Sequence, residues 1–335
     1  MNPLLPRLTA HLCDVLTHAL EMAPGEQALV IFDTEAPLAC LLTDAYRAAL
    51  PNAQFVDIKT VTPPDVMRLF EALNPKDLVV LIQSTNFRLN EFRIRIELFK
   101  RGLKTIEHTH LNRMPPEQYE AYVDAFAYDP HYYRPLGHAL KAIMDVSKRT
   151  VVRCNGTTLT YDGPMEPSKL NVGDYTDMKN IGGTFPIGEV FTEPIDLATV
   201  NGEAMAFAFA GEDHLVQLYD PFKLIITNGV LTAPDAPADF QAILEKIRAT
   251  EVAVVREFGL GLNRAMGKHR LVSDITAFER QQGLHFSIGA KHTVYAKTGL
   301  HRKHGRYHVD VFIDVETIEV DGKALYTNGM FHPNA

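Results

Sequence analysis

With 335 residues the chain is long enough for two domains or one large one. Its formal net charge of −8 and its lack of a long basic run argue against a nucleic-acid backbone or an anionic membrane surface as partner. No stretch approaches the roughly 18 uninterrupted apolar residues of a membrane span, and the first turns lack the apolar core of a signal peptide, so a cytoplasmic protein is expected. Cys13, Cys40 and Cys154 are odd in number and show no C-x-x-C spacing. That points to reduced thiols, not to a disulfide framework or a Cys-ligated zinc.

Taken in chain order, the first part alternates helix and strand. A helical pattern over 8–22 is followed by the apolar run "QALVIF", the helix "PLACLLTDAYRAAL" and the strand "AQFVDI". Then come the helix "PPDVMRLFEAL", the strand "DLVVLIQS", the helix "LNEFRIRIELFKRG" and the strand "KTIEHT". Two more helical stretches, "PPEQYEAYVDAFA" and "YYRPLGHALKAIMDVS", complete this part. Continuous apolar strands separated by helices predict a parallel sheet covered on both faces. "FDTEAP" stands where a dinucleotide-binding G-x-G-x-x-G would follow the first strand, so such a site has no support.

The texture changes near Lys148. Short β-type runs with Asn-Gly and Asp-Gly turns follow, broken by one clear helix in "APADFQAILEKIRATEVA". The expectation is an α/β domain over 1–147 and a β-rich α+β domain over 148–335. The basic stretch at 297–308 is read as a hairpin turn with solvated charges.

Five side chains in the second half stand in apolar or Gly-rich surroundings: Glu189, Glu257, His285, His308 and Asp310. Such groups are rarely buried unless paired or bound to a metal. His308 and Asp310 alternate with valines in "RYHVDVFID", so one face of a strand would carry both. Oxygen and imidazole donors together suit Zn, Mn, Co or Fe(II). Each also has a plainer reading. Glu189 could face solvent on a loop, Glu257 could pair with Arg256 or Lys268, His285 could be a core histidine, and His308 with Asp310 could be a local pair. Spacing alone does not bring these segments together.

Their order does carry a resemblance. "PIGEVFTEP" with Glu189, "EFGLGLN" with Glu257, "HFSIG" with His285 and the His308-x-Asp310 strand resemble, in that order, the four ligand segments of the metallo-aminopeptidases of the aminopeptidase T / leucyl aminopeptidase-like family. "NGTTLTYD" resembles that family's strand upstream of the first Glu. The resemblance implies a homodimer whose C-terminal domain holds two divalent ions (Zn, Co, Mn or Mg) on these five residues and removes N-terminal residues from short peptides. His292 stands where the family usually has a Tyr, and an imidazole could also donate to an oxyanion. Gly188 stands where many members have a second carboxylate.

The 2,5-dihydroxypyridine dioxygenases resemble the same scaffold. They imply one Fe(II), with a His at the second-Glu position, and a triad from His285, His308 and Asp310 would be the counterpart here. A non-catalytic descendant that kept the fold is the third expectation. Outside this set, His108 and His110 in "EHTH" are read as structural or surface residues. Arg256 and Lys291 are read as surface charges, and Ser287 lacks a nucleophile elbow.

Overall fold

The structure is a computed structural model describing residues 2–87, 94–291, 294–295 and 305–333. The chain forms two compact units, and both are discontinuous in sequence. One comprises 1–134, 172–187 and 270–277; the other comprises 135–171, 188–269 and 278–335.

The first unit is built on a five-stranded parallel sheet. Its order is Gln54–Asp57, Ala28–Phe32, Leu78–Ile82, Lys104–His108, Gly182–Thr184. Every residue of the central strand "LVVLI" is buried, as expected for a sheet covered on both faces. Leu29, Ile31, Val79 and Leu81 pack with Val66 and Phe70 of the helix Pro63–Glu71. That helix starts with a capping box between Thr62 and Asp65. The first expected helix holds as α-helix over Leu5–Asp14 and continues as a π-turn over Val15–Ala19. His108 ends its strand inside the core, with Nε2 2.9 Å from the Tyr46 hydroxyl and Nδ1 3.4 Å from that of Tyr122. Burial pushes its pKa down to about 3, so it is a neutral structural histidine.

The second unit is built on a 13-stranded, antiparallel sheet. Four of its hairpins turn on Asn155-Gly156, Asn228-Gly229, Asp321-Gly322 and Asn328-Gly329, with positive φ at both residues of each pair. This is the backbone of a two-residue hairpin loop, and it explains why these dipeptides were legible. The strand Val200–Ala210 runs through the middle and pairs with Thr157–Tyr161, Val216–Thr227 and Val309–Ile313. Beyond Val309–Ile313 the order continues Gly283–Ile288, Val255–Gly261, Glu189–Thr192, Lys169–Asn171. The expected helix forms over Ala238–Arg248.

The change of texture near Lys148 is therefore not where the units part. The chain passes from one to the other at 134/135, within the helix Pro130–Met144. The segment 172–187 then returns to supply the fifth parallel strand, Gly182–Thr184. Among the described residues, no helix is long and apolar enough to cross a membrane.

Candidate metal centre

Four adjacent strands of the second unit carry Glu189, Glu257, His285 and Asp310. Their antiparallel register sets Gly261 opposite Glu189, Gly259 opposite His285 and Ser287 opposite Asp310. Side chains on one face of a sheet repeat every second residue, and paired residues share a face. The register thereby gathers segments far apart in sequence. Val255–Gly261 and Gly283–Ile288 are buried along their whole lengths.

Glu189, Glu257 and His285 converge, with one ligand atom from each lying within 4.8 Å of the others. The His285 Nε2 stands 3.3 Å from Glu257 Oε1 and 3.5 Å from Glu189 Oε1. All three are buried, His285 completely. The second oxygen of Glu189 faces Arg280, whose Nη2 is 3.6 Å from Oε2. His308 and Asp310 lie outside this trio and contact each other, Nε2 to Oδ1, at 3.1 Å. The other His308 nitrogen, Nδ1, is 3.1 Å from the carbonyl of Lys291. His308 immediately precedes the strand Val309–Ile313 instead of lying within it.

The electrostatics are those of charges crowded out of water. Burial raises the Glu189 pKa; Arg280 and His285 oppose the rise, while Glu257 and Asp310 add to it. His285 is pushed down by burial, but its hydrogen bond to Glu257 and the nearby carboxylates outweigh that and raise it. His308 behaves alike: burial opposes protonation, yet Asp310 and Glu257 bring its pKa up to about 9. In both imidazoles the neighbouring carboxylates thus favour the protonated form against burial. Among the described residues, Arg280 Nε and His285 Nδ1 are buried without a hydrogen-bond partner, in a neighbourhood where such atoms call for an explanation. Two buried carboxylates and an imidazole converging in this way fit a divalent ion of the Zn, Mn, Co or Fe(II) kind.

Several plainer readings are replaced. Arg256 is no surface charge: it is buried and holds Glu193 with two bonds, Nε to Oε2 at 3.0 Å and Nη2 to Oε1 at 2.8 Å. The same guanidinium donates to the carbonyls of Ala290 and Tyr295. Lys268 pairs with Asp314. Glu257 instead faces His285, and its backbone N–H donates to Ser287 Oγ at 3.1 Å. Tyr295 donates its hydroxyl to the Pro167 carbonyl at 2.6 Å, a structural use. Gly188 has φ +122, a conformation that disfavours the side chain many peptidases carry there. His292 lies outside the described residues, as does most of the basic stretch at 297–308.

Sequence reasoning missed Arg280 and Gly259. Arg280 sits in "AFERQQG", which reads as an exposed polar helix end. The signal for Gly259 was present in the Gly-x-Gly that follows Glu257, although its partner was not.

No protein-family model and no curated protein matches this sequence. Solved structures do match. A 2,5-dihydroxypyridine dioxygenase from Pseudomonas putida KT2440 superimposes with a TM-score of 0.63 at 15% identity, covering 97% of this chain and 96% of that one. Wild-type AmpT from Thermus thermophilus superimposes with a TM-score of 0.58 at 15% identity, covering 97% of this chain and 99% of that one. At that identity the likeness to both is one of fold, extending over nearly the whole chain.

Proposed function

We propose that the protein is a metal-dependent hydrolase of the aminopeptidase type, which releases N-terminal residues from short peptides. The observation that carries this is Glu257. A carboxylate, rather than a second imidazole, faces His285 and Glu189 in the buried trio. Glu189, Glu257, His285, His308 and Asp310 would hold two divalent ions. Ions bound there would polarise the scissile carbonyl and supply hydroxide near neutral pH. The chain's own groups prepare the site. Arg280 engages Glu189 Oε2 and leaves Oε1 toward His285, while the Lys291 carbonyl orients His308 so that Nε2 points to Asp310. Burial of the trio excludes water and strengthens each of these interactions. A cytoplasmic homodimer completes the reading.

Metal analysis tests it. Purified protein loaded with zinc or manganese should hold close to two ions per chain and cleave Leu- or Ala-peptides, and Glu257→Ala should remove at least one ion. Protein that takes up no metal under any loading condition would sink the proposal.

A second reading draws on the dioxygenase superposition and on the adjacency of His308 and Asp310. It is a ring-cleaving oxygenase with one Fe(II) on His285, His308 and Asp310. One iron per chain, with oxygen uptake on a dihydroxypyridine, would select it over the hydrolase.

A further inference from the structure

The run Glu257-Phe258-Gly259-Leu260-Gly261 contains two glycines in a strand buried along its whole length. Glycine in a strand interior costs backbone entropy and contributes no packing, so two of them ask for a reason. Gly259 does not have a positive φ, and its backbone would accept alanine. What excludes a side chain is the ring across the strand pair. A Cβ on Gly259 would lie 2.1 Å from His285 Cε1 and 2.3 Å from Nε2. Of these, Nε2 is the nitrogen that faces Glu257 and Glu189. On another side the ring meets Phe312, with centroids 5.8 Å apart.

We infer that Gly259 is a positioning residue for the metal centre. The missing side chain at 259 is the seat in which the His285 imidazole lies, and it sets where the ligand nitrogen stands relative to Glu189 and Glu257. The inference rests on the metal-centre reading for its consequence, but its geometry is independent of it. A side chain at 259 must push the ring out of the trio, because Gly259 and His285 are directly paired and both backbones are held in the sheet. Gly261 serves as the internal comparison. Its Cβ would lie 1.8 Å from the Gln281 carbonyl oxygen, and its three nearest atoms are all backbone atoms of Arg280 and Gln281.

Two measurements test the inference. The first is zinc binding by calorimetry, without turnover. Gly259→Ala should weaken zinc affinity at least tenfold. The second is a double-mutant cycle on the unfolding of metal-free protein. If Gly259 acts through the ring, Gly259→Ala should destabilise the wild type but cost little in a His285→Ala background, where the ring is gone. Gly261→Ala should cost the same in both backgrounds. Should Gly259→Ala alone fail to fold, the double variant should fold, and that recovery supports the inference. Wild-type zinc affinity in Gly259→Ala, or an equal loss of stability in both backgrounds, would overturn it. Wild-type protein that binds no zinc would remove the metal-centre reading, while the unfolding cycle would still decide whether Gly259 acts through His285.

Discussion

Arg256 and His108 show at the residue scale how burial decides what a charged or titratable side chain does. The Arg256–Glu193 pair has side chains 3% and 0% exposed, and Arg256 lies in the strand that carries Glu257. Removing one partner of such a pair leaves a buried uncompensated charge, at a cost of about 3–5 kcal/mol. Arg256→Met should therefore destabilise the protein by that amount in urea unfolding, and Arg256→Met with Glu193→Leu should recover much of the loss. If the double variant is as unstable as the single, the backbone bonds to Ala290 and Tyr295 are the larger contribution. His108 makes a pH prediction. In the unfolded chain its pKa is near 6.5, whereas the folded value is about 3. The unfolded state thus takes up a proton as pH falls below about 6.5, and the folded state does not until about 3. Stability should drop across that window by up to about 1.4 kcal/mol per pH unit from this group. Urea midpoints between pH 7 and pH 4 should fall less steeply in His108→Gln, and an unchanged slope would remove His108 as the source.

At the scale of elements, pattern was legible wherever a strand or helix shows its own periodicity. "LVVLI" reads as a doubly covered strand, and Asn-Gly and Asp-Gly pairs read as hairpins, because the cause of each lies within a few residues. The strand Gly182–Thr184 was not legible. Three residues offer no period, and their pairing with Lys104–His108 is made by a segment that returns from far along the chain. Gly182 has φ +92, and a Cβ there would lie 2.0 Å from the Thr105 carbonyl oxygen. Gly182→Ala should detach this edge strand. Thr105, whose N–H donates to the Ile181 carbonyl at 3.0 Å, should then lose protection in amide exchange while the Leu78–Ile82 amides keep theirs. Retained protection at Thr105 would mean that the edge tolerates the methyl group.

For the whole molecule, the consequence lies in connectivity. A fragment ending at 147 follows the change in sequence texture but omits the fifth parallel strand and the segment 270–277. That segment supplies Asp274, 2% exposed, which holds Arg113 at 2.9 Å, and Ser273, which binds Gln118. Expressed alone, 1–147 should be proteolysed faster than the same region of the intact chain and should lack a cooperative unfolding transition. A stable, cooperatively unfolding fragment would show that the returning segments add little to the first unit.

The sequence by itself determined the helix–strand alternation of the first part, the β-rich character of the second, the sharp hairpins and the identity of the unusual polar residues, all of which arise from local propensity and side-chain chemistry. The plain reading of Glu257 as partner of Arg256 failed because the strand pairing shifts register between Val255 and Phe258 and the two side chains take different partners. Arg256 turns to Glu193 and Glu257 to His285. Only the tertiary structure decided that Glu189, Glu257 and His285 meet while His308 and Asp310 pair beside them. Only it could add Arg280 and assign a purpose to Gly259. The physical reason is register. Which residue lies opposite which is set by pairing between segments far apart in the chain, and a shift of one residue would turn every one of these side chains to the other face.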